Sequence, residues 1–228
     1  MNSNDNIYHE KQVRELCALH ALNNLFQTKG YFSKLELDTI CHSLSPDVWI
    51  NPHKSIFGLG NYDINVIMKA LQCKGYEAIW FDKRKDPSCL NFDNICGFIL
   101  NVPSDYKIGF VMLPLRRRHW VTLRQINGFF YNLDSKLDAP QVIGNSEDLL
   151  DYLKEQLECK DKELFLVVES EVDSNQSWLS NKTIYTNNIK ERDAEIVQLK
   201  DIVSDGVNVT INPLCDNDRQ TDDLTDNW

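Results

Sequence analysis

The chain has 228 residues, 42% of them hydrophobic, and a formal net charge of −10. That length holds one well-buried domain with residues to spare. The acidic balance argues against a nucleic-acid-binding face, which needs clustered Lys and Arg, and no stretch approaches the roughly 20 apolar residues of a membrane-spanning helix.

The opening "MNSNDNIYHEKQ" is polar and lacks the apolar core of a signal peptide, so a cytoplasmic protein is expected. "CALHALNNLFQ", from Cys17, predicts a helix with Leu19, Leu22 and Phe26 turned inward. Cys17, His20 and Asn24 fall together on another face. "SKLELDTICHSL" predicts a second helix, with Ser33 as cap and Glu36 at the capping-box position. "NYDINVIMKALQCKG" predicts a third, closed by Gly75. "YEAIWF" and "CGFILNV" read as strands. "HWVTLRQINGFFYNLDS" reads as a hairpin turning at Asn127-Gly128, the strongest short hairpin signal. "SEDLLDYLKEQLE" predicts a helix capped by Ser146, and "ELFLVVE" a last strand. Helices first and strands later indicate an α+β class, with helices packed on a mostly antiparallel sheet. No internal repeat is present.

Beyond residue 179 the chain turns polar, with ten Asp/Glu against five Lys/Arg, a net of −5. "CDNDRQTDDLTDNW" has the composition of a disordered segment, and "NIKERDAEIVQLKDIV" shows only a thin helical stripe of Ile196, Leu199 and Val203. The expected division is therefore a folded domain over residues 1–178 and an acidic tail over 179–228.

Seven cysteines, at 17, 41, 73, 89, 96, 159 and 215, are scattered without a CxxC pair. Neither a zinc ribbon nor a disulfide framework fits that spacing, and no metal or cofactor is expected. The Asn-x-Ser/Thr triplets at Asn175, Asn181 and Asn208 read as chance matches without a secretory signal.

Cysteine is ordinarily a small core residue, and three features set Cys17 apart. It stands at a predicted helix N-terminus, where partial positive charge favours a thiolate. It lies off the apolar stripe. Gln12, five residues upstream, could donate to a developing oxyanion beside the cysteine's own N–H, although spacing alone fits an ordinary surface glutamine at least as well.

A nucleophilic cysteine needs a base, and the base needs an orienting group. His20 is within helical reach, but the helix offers it no carboxylate, so it reads as a packed or capping histidine. His9, His42 and His53 carry no special signal. His119 opens the hairpin. With a two-residue loop, Ile126 pairs with Phe129, Leu123 with Asn132 and Val121 with Asp134. His119 and Asp134 then share a face as diagonal neighbours, roughly 7–8 Å apart along the backbone, whereas Asn132 lies roughly 13 Å along the strand. Lys136 would stand opposite His119, with Asp138 as the other diagonal. The Arg116–Arg118 run reads as a solvated strand edge. On these residues alone, a cysteine hydrolase and a binding domain both remain open.

"YHEKQVRELCALHALNNLF", "INPHKS", "GLGNYDINVIMKAL", "RRRHWVTLRQINGFFYNLDSKLDAP" and the closing "ELFLVV…QSW" together resemble the Josephin family of deubiquitinating cysteine proteases, over roughly Tyr8 to Trp178. The chain is most similar to the short Josephin-domain proteins. The resemblance implies a papain-like fold and thiol-dependent hydrolysis at the C-terminal glycine of ubiquitin. It also implies Cys17 as nucleophile, His119 as general base, Asp134 as the third catalytic residue and Gln12 as the oxyanion donor. Many family members carry Asn where this chain has Asp134, and Asp matches the short members. Ubiquitin and ubiquitinated proteins are the implied partners. The tail matches nothing in the short members and lacks the ubiquitin-interacting helices of longer ones. A catalytically weak or autoinhibited ubiquitin-binding adaptor is the alternative. The "WINPHKSIFGLGNYD" segment, with Trp49 and Phe57, is a candidate wall for the channel that takes the ubiquitin tail.

Overall fold

The structure, a computed structural model, describes the backbone of residues 7–13, 15–46, 51–53, 60–108 and 111–180, and the side chains of all of these except 105–108 and 111–117. Three helices lead: α1 (Cys17–Phe26), α2 (Lys34–Leu44) and α3 (Ile64–Gln72). The strands β1 (Tyr76–Trp80), β2 (Gly97–Ile108), β3 (Val111–Ile126), β4 (Phe129–Asn132) and β5 (Gln141–Gly144) follow. Helix α4 (Ser146–Glu158), strand β6 (Glu163–Glu169) and the short helix α5 (Ser170–Ser174) close the described chain. The six strands form one sheet in the order β1-β6-β2-β3-β4-β5, with every adjacent pair antiparallel. This is the expected α+β architecture, helices packed on an antiparallel sheet.

Local chemistry sets the element ends. Ser33 and Glu36 form the anticipated capping box on α2. Asp63 accepts from the Val66 amide to start α3. On α4 the cap is Asn145 rather than Ser146. Asn145 accepts from the Glu147 and Asp148 amides and Asp148 returns a bond, which leaves Ser146 as the first helical residue. Asn caps at least as well as Ser, and here it also gains the reciprocal carboxylate. Asn127 and Gly128 both take positive φ, 50° and 86°, as a tight hairpin with the sheet's twist requires. The resulting register pairs Ile126 with Phe129 and Leu123 with Asn132, as the two-residue loop predicts.

Strands β2 and β3 run further than the apolar pattern suggests, through Pro103 and Pro114, with a register shift between Asp105 and Tyr106. Proline and the arginine run hid that stretch, because neither marks a central strand. Arg116–Arg118 pair along β2, while β4 faces β3 only from Leu123 onward.

The sheet is apolar on both faces, which is why "CGFILNV" reads as a continuous hydrophobic run. Ile99, Trp120 and Phe165 join one core with α1, α2 and α3. Phe98, Leu100, Leu123 and Leu166 join a second core with α4. Helix α1 departs from the single-stripe expectation. All its residues but Phe26 are buried, including Cys17, His20 and Asn24. It lies against β3, where the Thr122 hydroxyl donates to the Ala21 carbonyl at 2.6 Å.

The segment before α1 is gripped by residues 60–61. Glu15 and Gly60 form a parallel bridge, and the Asn61 amide donates to the Glu15 carbonyl at 2.7 Å. At the far end, Leu179 bridges Leu90 and the Ser180 amide donates to the Cys89 carbonyl. The acidic segment beyond 180, with its thin helical stripe, lies outside the described residues, as do Trp49 and Phe57. No described helix is long and apolar enough to cross a membrane.

Gly60 has φ +116°, and a Cβ there would sit 2.5 Å from the Glu15 carbonyl oxygen and 2.9 Å from the Leu16 side chain. Gly60→Ala should therefore lower the melting temperature by several degrees, since a strained backbone alone costs about 1–3 kcal/mol. An unchanged thermal midpoint would show that residues 60–61 do not grip Glu15 this closely.

Candidate active site

Helix α1 begins at Cys17 with no side-chain cap, because the residue before it is Leu16. Helices α2, α3 and α4 each carry a capping Ser, Asp or Asn. An uncapped N-terminus leaves amides and partial positive charge available to an incoming group. The missing cap is legible in the sequence, as Leu16 before Cys17.

His119 stands on β3 where β4 has already ended. Its Nε2–H donates to Asp134 Oδ1 at 2.6 Å. Its ring also lies beside the Cys17 thiol, and with Nε2 engaged by Asp134, Nδ1 is the nitrogen left for the sulfur. Cys17 is 4% exposed and His119 3%, so the three groups meet in a shielded place. Asp134 lies two residues past β4 and is shaped by a turn. Its amide donates to Asn132 Oδ1 at 3.0 Å, and its Oδ1 accepts from the Lys136 amide at 2.9 Å. Asn132, the rival for orienting group, instead supports the turn that presents Asp134. The Lys136 amine donates to Ser104, and Asp138 forms an exposed pair with Lys11. Neither reaches His119.

Burial opposes charge on His119, but the Asp134 carboxylate and the Cys17 sulfur outweigh it and raise the imidazole above its ordinary value. Burial likewise pushes Asp134 up, and the His119 bond overcomes it and holds the carboxyl below the usual range. The imidazole, with its raised value, sits between the Asp134 carboxylate and the Cys17 sulfur. Chemically, it can take a proton from a thiol and keep it within reach.

Gln12 belongs to a strap, residues 8–13, that lies between α1 and the 133–135 turn. Its amide donates to the Ser135 carbonyl at 2.7 Å, so it is anchored one residue from Asp134. His9 joins the same turn, with Nε2 at 3.0 Å from the Asp134 carbonyl. Cys17, His119 and Asp134 thus come together, with Gln12 tied to the turn one residue past Asp134.

Sequence reasoning missed what holds the strap. His20 has a carboxylate partner after all, from outside its helix: Glu10 Oε2 is 2.6 Å from its Nδ1. Asn23, Asn24 and Gln27 also bond residues of the strap. The signal was present as two amides and a histidine on one short helix with a third amide, Gln27, at its cap, too many polar groups for an ordinary core helix. Of the other histidines, His53 pairs with Asp63 at 2.8 Å and His42 is exposed. Among the described residues, no three of His, Cys, Asp and Glu come together to hold a metal ion.

A family model described as Josephin matches residues 12–168. The chain is 54% identical over 178 residues to a Josephin-like protein of Drosophila melanogaster, covering 76% of this chain and 80% of that one. It is 50% identical over 173 residues to human Josephin-2, covering 76% and 92%. Human ataxin-3 is 31% identical over 186 residues, covering 72% of this chain and 45% of that one.

The opposed shifts set a pH dependence of stability. The Asp134 contribution is present above the ordinary carboxylate range and lost on acidification through its lowered value. The His119 contribution is full below pH 6.5 and lost as pH rises through its raised value. Asp134→Asn should therefore lower the melting temperature more at pH 5.5 than at pH 8.5, by roughly 2–4 °C for each 1 kcal/mol of lost pairing. Equal losses at both values would mean that the pair is not ionised in the folded protein.

Proposed function

The chain belongs to the Josephin family, and on that footing we propose that it is a thiol-dependent ubiquitinyl hydrolase, a deubiquitinase of ubiquitinated proteins in the cytoplasm. The observation that carries the proposal is the continuous line Cys17–His119–Asp134, built at an uncapped helix end. The catalytic domain is residues 1–178 together with Leu179 and Ser180, which still bond the 89–90 segment, and the acidic tail follows it.

In this reading the His119 Nδ1 takes the Cys17 proton, and the thiolate attacks the carbonyl of the last glycine of ubiquitin. The Gln12 side-chain amide and the Cys17 N–H stabilise the oxyanion, a role in which one donor is worth roughly 10²–10³ in rate. Asp134 orients the imidazole and balances its charge. His119 then returns the proton to the departing lysine or α-amine, and water releases ubiquitin from the acyl-enzyme. Placing the base and its partner on a strand and a tight turn, rather than on a loose loop, keeps the imidazole aimed through both half-reactions.

The test is exposure of the full chain to ubiquitin carrying a C-terminal thiol-reactive group, with the adduct mapped by mass spectrometry. An adduct on Cys17 that disappears in Cys17→Ala is the expected result. On a ubiquitin amide substrate, His119→Ala should lower kcat by about 10²–10⁴. A folded protein that forms no adduct would favour the adaptor reading instead.

A further inference from the structure

The mechanism above uses His119 on β3, yet a second histidine, His20, is buried on α1, one turn from Cys17. We propose that His20 is a positioning residue for the reaction, and that it holds the Gln12 peptide in register with the nucleophile. This rests on the reading of Gln12 as oxyanion donor and adds how that donor is kept in place.

His20 is 8% exposed and both ring nitrogens are engaged. The Val13 amide donates to its Nε2 at 3.2 Å. A backbone N–H can only donate, so Nε2 carries no proton and Nδ1–H donates to Glu10 Oε2, 2.6 Å away. One neutral tautomer is thereby selected. Glu10 is itself fixed. The Asn23 amide reaches both its carboxylate oxygens, at 3.1 and 3.3 Å, and the Tyr8 hydroxyl donates to Oε1. The Asn24 side chain clamps the Glu10 main chain at both N–H and C=O.

The consequence falls on Gln12. The amide of Gln12 is tied to Ser135, beside Asp134. The next amide, that of Val13, is tied to His20, on the helix that begins at Cys17. The Gln12 residue is thus held between the turn bearing the imidazole's partner and the helix bearing the thiol. An oxyanion donor acts only if it waits at the place where charge will develop, and displacement by about 1 Å can cost on the order of 10² in rate. A histidine that served packing alone would need neither bond to the strap.

Two reactions of Cys17 separate the roles without calling on ubiquitin. Acylation by p-nitrophenyl acetate passes through a tetrahedral oxyanion, whereas alkylation by iodoacetamide displaces iodide and forms none. Both are followed on the full chain, with modification of Cys17 quantified by mass spectrometry because Cys73 is also exposed. His20→Ala is expected to slow acylation about tenfold, a part of the roughly 10²–10³ that a lost donor costs, with alkylation changed by less than about twofold. His20→Gln keeps an acceptor near Nε2 and should restore most of the acylation rate. His20→Asn reaches only the Nδ1 position and should not, and both polar variants keep the site filled if alanine fails to fold. In a Gln12→Ala background, His20→Asn should add nothing.

Parallel loss of both reactions, normal acylation in His20→Asn, or losses that add to Gln12→Ala would each overturn the positioning role. Normal acylation in Gln12→Ala would overturn the oxyanion reading of Gln12 itself, and the positioning role with it. A slow Gln12→Ala combined with a normal His20→Asn would leave Gln12 standing and remove His20.

Discussion

The site depends on one constraint: α1 is buried on nearly every side although it carries polar side chains. His20, Asn23 and Asn24 have lost water together with Leu22 and Leu25. Leaving a buried donor or acceptor unmet costs about 1–3 kcal/mol, so these groups must find partners within the protein. They find them in residues 8–13, in the Phe32 main chain and at the Leu133 carbonyl. Asn24 alone spans the first and the last of these, accepting from the Glu10 amide and donating to Glu10 and Leu133. Burying the helix and assembling the site are for this reason one event. The helix cannot enter the core without drawing in the strap that carries Gln12 and the turn that carries Asp134.

The second half of the site is organised by where a strand stops. β4 is four residues long and leaves β3 opposite Leu123. One further bond, from the Leu133 amide to the Thr122 carbonyl, marks the parting of the chains. Had β4 continued, Asp134 would lie in a ladder with its carboxylate set by the pleat. Instead Asn132 and the Lys136 amide fold the chain into a turn, and the carboxylate is aimed at His119 from there. The imidazole accordingly sits between two anion-forming groups in a shielded pocket, where charge–charge attraction is stronger than in water. That attraction outweighs the burial that would otherwise keep the imidazole neutral.

Much of this was legible in the chain, because some residues impose their own geometry. Asn127-Gly128 sets the hairpin register as far as Leu123 and Asn132, but Asp134, expected opposite Val121 in the ladder, reaches His119 from a turn beyond it. Ser33 and Glu36 declare a helix start, and Leu16 before Cys17 declares one left open. The failures are equally specific. A helical wheel drawn with one apolar stripe cannot show that the opposite face is buried too, so His20 was denied a partner that lies ten residues earlier. Prolines and arginines hid the outer half of the β2–β3 pairing. Ser146 is the expected cap of α4 and Asn145 takes its place, because the Asn145 amide can donate to the Asp148 carboxylate only once the turn has closed.

The sequence by itself determined the α+β class, the hairpin, most helix starts, the family, and the set of residues able to do cysteine chemistry. These follow from short-range rules, in which a residue acts on neighbours within about four positions or across one tight turn. Tertiary structure alone decided that Cys17 and His119 meet, that Asn132 serves Asp134 rather than replacing it, and that His20 and Glu10 tie the strap to the helix. Glu10 and His20 are 10 positions apart and Cys17 and His119 more than 100, while Asn132 and Asp134, only two apart, meet as they do because β4 ends between them. Their geometry follows from how buried polar groups share the few partners the core leaves them, and no local pattern in the chain encodes that division.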